Sequence, residues 1–325
     1  MAKLKDVAEE CGLTVTTVSR VLNNRGYISD ETRQKVQEAM KKLNYQPNEV
    51  ARSLSKQSTS TIGVIVPHIR HPYFTEMISF LEAAAARKGY KIILCNSKGK
   101  NEREQEYLKM CSSNRVAGVI LFSAGVDISE LAGNHIPVVT VERFLEDGTA
   151  SIECDNVDGG RLAAQELIGK GCRKLLYISG VQESTMPADD RGKGFYGECK
   201  KHGVEAVEIQ TTIEQYDSGE YRSLLTSALQ DNPDIDGCFT SSDLIAAQLI
   251  QVATRMGKSV PEDLKIVGFD DTYFAEMVTP MLTTIHQPIK EMATAAVELL
   301  IAASKGETVA RRTMLPVCLV QREST

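Results

Sequence analysis

Residues 4–23 read LKDVAEECGLTVTTVSRVLN, and the order of apolar, small and polar positions in this stretch decides how the chain begins. Leu4, Val7, Ala8 and Cys11 recur at helical spacing and line one apolar stripe. Gly12 then breaks the period, where a tight turn needs a residue that tolerates left-handed backbone. Thr14 can cap a second helix through its hydroxyl, and Val18, Val21 and Leu22 give that helix a stripe of its own. Small Ala8 allows the two to approach, so the spacing predicts a helix-turn-helix. Its second helix turns Val15, Thr16, Ser19 and Arg20 outward, with the sizes and polarities that reach base edges in a DNA major groove.

Outward from this stretch, NRGYIS (24–29) reads as a loop and Ser29 as the cap of a third helix. Val36, Ala39, Met40 and Leu43 on that helix would close a small core, and Tyr45-Gln46-Pro47 would end it. EVARSL (49–54), capped by Asn48, is about two turns at most. So short a helix is marginal alone and should form only against a partner. SKQSTST follows as a polar linker. Residues 1–60 carry ten Lys/Arg and seven Asp/Glu, whereas the remaining 265 carry 27 and 36, which leaves a mildly basic head on an acidic body. That asymmetry suits a DNA-reading module and argues against indiscriminate coating of nucleic acid.

From Thr61 the texture becomes strands alternating with helices. TIGVIVP, KIILCN, VAGVILF and IPVVTV form one series, with helices near 73–88 and 102–113 between them. KLLYISG, DGCFTSS and LKIVGFDD form a second, with helices through GKGFYGECKKHG, YRSLLTSALQ and LIAAQLIQVATRMG. Continuous apolar strands between helices mean parallel sheets covered on both faces. The fold class is therefore multidomain: a small all-α helix-turn-helix headpiece and an α/β body of two doubly wound lobes. Ligands of such sheets bind beyond the carboxyl ends of the strands, in a cleft between the lobes.

Several motifs together give the chain a resemblance to the LacI/GalR family of bacterial transcriptional regulators. They are KDVAEECGLTVTTVSRVLN, Tyr45-Gln46-Pro47-Asn48 with VARSL, IGVIVP, VPEDLKIVGFDD and LTTIHQP, in that order. The resemblance implies a headpiece over 1–46, a hinge helix and linker over 47–60, and a periplasmic-binding-protein-like body over 61–325. Within the body it implies a first lobe of about 61–160 and 290–317, and a second of about 161–289 and 318–325. It further implies a homodimer on palindromic double-stranded operator DNA, repressing a sugar-utilisation operon and switched by a small sugar or sugar phosphate. RGYIS, KIILCNSKGKNEREQEYLKM and LTTIHQPIKEMA are most similar in texture to sucrose-operon repressors.

Carried over by position, the DNA-contacting residues would be Thr14, Val15, Thr16, Ser19, Arg20 and Asn23, with Ala51 and Leu54 of the hinge at the minor groove. An apolar wedge such as Leu54 unstacks a base step and bends the duplex. The effector-contacting residues would be Tyr73, Phe74, Asp158, Arg191, Asp243 and Asp270. A guanidinium, carboxylates and aromatic faces suit a polyhydroxylated ring, whose hydroxyls need partners and whose C–H faces stack. Departures from the family pattern are Ser242-Asp243 in place of Asn-Asp, and Glu214 where an aromatic is common, with Tyr216 two residues on. No leucine heptads follow the body, so a dimer is expected.

Other signals fail on inspection. Gly192 to Gly197 satisfies G-x-G-x-x-G, but a polar loop separates it from the preceding strand, which a dinucleotide site does not permit. Gly257-Lys258-Ser259 resembles the end of a phosphate loop, but Val252 stands where its first glycine must be. The five histidines (68, 71, 135, 202, 286) show no metal spacing, and no serine lies in a nucleophile elbow. Neither an enzyme nor a cofactor or metal requirement is expected. Eight cysteines are scattered without Cys-x-x-Cys and read as buried free thiols. Neither a signal peptide nor a membrane-length apolar run is visible, so a cytoplasmic location without membrane contact is expected. The alternatives are a regulator with a non-sugar ligand such as a nucleobase, and a transport-type binding protein. The latter would need a secretion signal and would have no use for residues 1–58.

Arg20→Ala should cost about 1–3 kcal/mol on a cognate operator and relax preference at one base position. Gel shifts on cognate and scrambled duplexes measure it; equal losses on both would make Arg20 a phosphate contact.

Overall fold

A computed structural model describes residues 2–22, 26–45, 59–123, 126–181 and 186–325. The chain divides into two compact units, Met1–Thr59 and Ser60–Thr325.

In the first unit, α1 spans Leu4–Glu10, α2 spans Val15–Leu22 and α3 spans Asp30–Lys42. Gly12 turns the chain between the first two at φ +66°. The Thr14 hydroxyl accepts the Thr17 N–H at 3.1 Å, and Ser29 caps α3 by accepting from Thr32 at 3.3 Å. Val7, Ala8, Val18, Val36 and Ala39 form the buried centre. α3 ends at Lys42, earlier than Tyr45-Gln46-Pro47 suggests, because Asn44 adopts a left-handed φ of +44°. Lys42 also reaches Glu10 of α1 at 2.6 Å. The expected hinge helix, with Ala51 and Leu54, lies outside the described residues, as does Asn23.

In the second unit, the first lobe runs β1 (Thr61–Val66), α4 (Pro72–Arg87), β2 (Lys91–Asn96), α5 (Asn101–Ser113), β3 (Gly118–Leu121), α6 (Ser129–Gly133), β4 (Val138–Val141) and β5 (Ala150–Cys154). The second lobe follows with α7 (Asn156–Gly169), β6 (Lys174–Ser179), a 3-10 turn (Pro187–Asp189), α8 (Asp190–His202), β7 (Glu205–Gln210), α9 (Ile213–Ser218), α10 (Arg222–Asp231), β8 (Gly237–Thr240), α11 (Asp243–Arg255), β9 (Lys265–Asp270), α12 (Phe274–Met277) and β10 (Thr283–His286). The chain then returns to the first lobe as α13 (Ile289–Ser304) and β11 (Arg312–Leu315), and ends in the second with β12 (Cys318–Val320).

The two sheets have strand orders β11-β5-β4-β3-β1-β2 and β12-β10-β9-β8-β6-β7. Their pairings are parallel except β10 with β12. The order reverses beside β1 in one sheet and beside β6 in the other, so both switch points open at the carboxyl ends of strands. α7 packs mainly on the second lobe, which puts the first crossing at Asp155, a few residues before 160. Of the eight cysteines six are buried thiols, but Cys11 is half-buried and Cys318 is exposed on the edge strand β12, unlike the sequence expectation. Among the described residues, no helix is long and apolar enough to cross a membrane.

Helices α7 and α8 cross unusually closely, and glycine is the reason. A Cβ on Gly160 would lie 1.8 Å from the Arg191 carbonyl oxygen, and one on Gly194 would lie 1.8 Å from that of Val157. The G-x-G-x-x-G string thus has a packing role at Gly194. Gly197, on the same helix, faces open space.

Gly194→Ala should therefore destabilise the body by about 3 kcal/mol or more, since the clash is with backbone. Gly197→Ala should stabilise it by ~0.5–1 kcal/mol through helix propensity alone. Urea unfolding of both proteins measures the contrast; equal effects would mean that the crossing is not tight.

Candidate ligand cleft and DNA-reading helix

Between the lobes, at the strand ends, lies a cavity of about 310 Å³. Its central feature is Arg191, at the start of α8, which is only 6 % exposed. The guanidinium donates from Nε to Asn156 Oδ1 at 2.8 Å and from Nη1 to the Ser241 carbonyl at 2.6 Å. Its face lies 3.5 Å from the Phe269 ring centre. Burial opposes this charge, but the acidic groups around it, Asp270 first and then Cys154 and Glu142, together outweigh burial and raise the guanidinium pKa. Asn156 in turn donates to Glu142 Oε2 at 2.9 Å, while Glu142 Oε1 accepts the Cys154 N–H at 2.6 Å. A continuous polar chain therefore runs from the end of β4 in the first lobe to the loop after β8 in the second.

Asp270 ends β9 with φ +110°, a conformation that side chains other than glycine seldom adopt. Burial pushes its carboxyl well above the ordinary range; Asp243 and Glu142 act the same way and Arg191 opposes them. Asp243 does not line the cavity. Its carboxylate accepts from Thr272 N at 2.7 Å, Thr272 Oγ1 at 3.0 Å and Thr284 Oγ1 at 2.6 Å. Burial raises its pKa to about 7. It braces the turn after Asp270 from behind, and Ser242 takes the wall position. Asp158 lies outside the cavity too: it pairs with Arg161 at 2.6 Å on the flank of α7, because helical rotation points the residue two places after Asn156 elsewhere.

Tyr73 and Phe74 lie at the start of α4, buried in the first-lobe core and lining the cavity at once. The Tyr73 hydroxyl is buried without a partner, as are His71 Nδ1, Glu104 Oε2, Ser123 Oγ and Gln287 Oε1, all on cavity-lining residues. Unpaired buried polar atoms are costly, so five around one cavity mark positions that a polar ligand can satisfy. The wall left open by Glu214 is filled: Tyr216 of α9 stands with ring centres 4.8 Å from His68 and 6.3 Å from His71. Glu214 itself is exposed.

Sequence reading did not name Glu142, Glu104 or Gln287 as cavity-lining residues, nor Asn156 as the partner that holds Arg191 from behind the lining. Three of them follow strands directly: Glu142 follows VVTV, Asn156 comes just after ASIEC, and Gln287 follows TTIH. Position beyond a strand's carboxyl end was the usable signal. Glu104 stands within a helix and offered none.

In the headpiece, Thr14, Val15, Thr16 and Arg20 are exposed around α2, and Ser19 is half-buried. All five are placed where a helix lying in a groove could use them.

Residues 3–48 match the family described as bacterial regulatory proteins, lacI family, and residues 164–325 match the periplasmic binding protein-like domain. The ribose operon repressor of Halalkalibacterium halodurans is 37% identical, over 100% of this chain and 97% of that protein. The sucrose operon repressor of Streptococcus mutans is also 37% identical, over 100% and 99%. Among solved structures, the lac repressor dimer bound to operator and the anti-inducer ONPF superposes with TM-score 0.87 at 25% identity, covering 99% of this chain and 98% of that one. A periplasmic binding protein/LacI transcriptional regulator from Alkaliphilus metalliredigens, complexed with D-xylulofuranose, gives 0.75 at 35% identity, covering 82% and 99%.

Burial lowers the His71 pKa from 6.5 to about 4, with His68 and Arg191 adding to the effect. Between those values the unfolded chain binds the proton and the folded one does not, so stability falls as pH drops from about 6.5 towards 4. At pH 4.5 wild type should have lost about 2–3 kcal/mol more than His71→Gln, relative to pH 7. Urea titrations at both pH values test this; equal acid losses would show that the imidazole is not held neutral.

Proposed function

Because the chain belongs to the LacI family of bacterial regulatory proteins, we propose that it represses a sugar-utilisation operon as a homodimer on a palindromic operator, with a small sugar in the inter-lobe cleft as its allosteric effector. Members of this family are DNA-binding transcriptional repressors and not enzymes. The observation that carries the ligand class is the cleft itself. Arg191 and Asp270 face a cavity with aromatic walls and five unpartnered polar atoms, the complement of a ring with hydroxyls on its edge and C–H groups on its faces.

Thr14, Val15, Thr16, Ser19 and Arg20 are the proposed groove-facing contacts of α2. Asn23, Ala51 and Leu54 complete the DNA-binding set by resemblance. In the cleft, Tyr73 and Phe74 are the proposed aromatic wall, and Arg191 and Asp270 the proposed polar grip. Asp243 acts by bracing Asp270, and Asp158, paired with Arg161 outside the cavity, is left out of the proposed grip. The protein would work where the chromosome is, in the cytoplasm. A ligand of this cleft can shift the operator equilibrium only by its difference in affinity for two lobe arrangements. The chain Glu142–Asn156–Arg191–Ser241, which spans both lobes, is where such a difference would arise.

Arg191→Ala and Asp270→Asn should bind the effector at least ~10-fold more weakly, as expected for losing a buried charged hydrogen bond of roughly 1.5–3 kcal/mol. Asparagine is chosen at 270 because it tolerates positive φ. Operator affinity without ligand should stay near wild type. Calorimetry with a panel of sugars, beside gel shifts with and without each sugar, measures both; wild-type affinity in both variants would move the ligand out of this cleft.

A further inference from the structure

We propose that the cleft admits only uncharged polyhydroxylated ligands, and that Glu104 enforces the exclusion of phosphorylated ones. The inference rests on the reading of the cleft as a sugar site.

Among the described residues, the cavity is lined by the carboxylates of Glu104, Glu142, Asp189, Asp217 and Asp270 against the guanidinium groups of Arg143 and Arg191. Both cations already have protein partners. Arg191 donates to Asn156 and Ser241 and is balanced by Asp270. Arg143 donates to the Glu142 carbonyl and stands close enough to Asp189 to act on its charge. Even with Asp270 left out, because burial favours its neutral form, the four carboxyl groups of Glu104, Glu142, Asp189 and Asp217 outnumber the two guanidinium groups, so a phosphate entering here would meet a surplus of negative charge in a partly desolvated site, where repulsion is weakly screened.

Glu104 is the sharpest element of that field. It is 2 % exposed, and among the described residues it makes no ion pair. Oε1 accepts the Ser97 hydroxyl at 2.8 Å, which fixes the carboxylate, and Oε2 is buried with no partner. Glu104 lines the cavity, so a small turn of its carboxylate would bring this oxygen a charge-assisted bond from a sugar hydroxyl. To a phosphate oxygen, which carries no proton to donate, it offers only like-charge contact.

The test is calorimetry on the full chain with D-ribose, D-fructose, D-glucose and sucrose, each beside its 5- or 6-phosphate. At least one neutral sugar should bind in a manner weakened at least ~10-fold by Arg191→Ala, with its phosphorylated form ~100-fold weaker or more. Glu104→Gln should narrow that ratio about tenfold. Asp217→Asn, at the more exposed mouth, should narrow it about threefold and serves where the Glu104 variant does not fold. A phosphorylated sugar that binds as tightly as its neutral counterpart overturns the exclusion and leaves the sugar site standing. An unchanged ratio in folded Glu104→Gln overturns the role of that residue. Silence of every neutral sugar overturns both the exclusion and the proposed function.

Discussion

A buried guanidinium needs partners on every side, and meeting that need organises the body of this protein. Arg191 cannot be left unpaired away from water without a penalty of several kcal/mol. Its partners come from both lobes: Asn156 and, through it, Glu142; the Ser241 carbonyl; the ring of Phe269; and the charge of Asp270. Each demand propagates. Asn156 is within reach only because Gly160 and Gly194 let α7 and α8 touch backbone to backbone. Gly159 leaves room for the Phe269 ring, which a Cβ there would meet at 2.6 Å. Asp270 keeps its positive φ because the turn behind it is bonded to Asp243. A strained residue persists where its surroundings over-determine it, and here they do.

Much of this was legible in the sequence, and the limits have physical causes. Runs such as TIGVIVP and KLLYIS are apolar throughout because both faces of a parallel strand are covered, so they stand out. The edge strand EAVEIQ is interrupted by Glu205 and Glu208, and ASIEC carries a serine and a glutamate that are buried only by their neighbours; neither has that texture. α7 begins NVDGG, which reads as a turn, although its two glycines are there for close packing. Arg191 and Asp270 were found by position in motifs. Asp158 and Asp243 were misplaced for one reason: a carboxylate's neighbourhood in sequence does not say which side of a helix or turn it faces. At α7 a shift of two residues separates the buried partner of Arg191 from the solvent flank.

The headpiece is legible almost throughout, because its core is local. Val7, Ala8, Val18, Val36 and Ala39 lie within 33 positions of one another, and the caps Thr14 and Ser29 bond three residues ahead. Helical periodicity and capping suffice for such a unit. The cleft instead gathers residues from 71 to 287, and no local pattern carries that information.

The three crossings between lobes also bear on how the chain is made. The first lobe's core contains Met292, Ala293, Ala296, Val297 and Leu300 of α13, and its sheet is edged by β11. A nascent chain that has just completed β5 has α4 over β1 and β2 but nothing yet over β3 to β5 on that face, and covering them waits for some 150 more residues. At ~5–20 residues per second that is roughly 8–30 s of exposed apolar surface on the ribosome. The headpiece, whose core is complete by Tyr45, is under no such delay. During synthesis the part that reads DNA can be ready long before the part that senses the ligand.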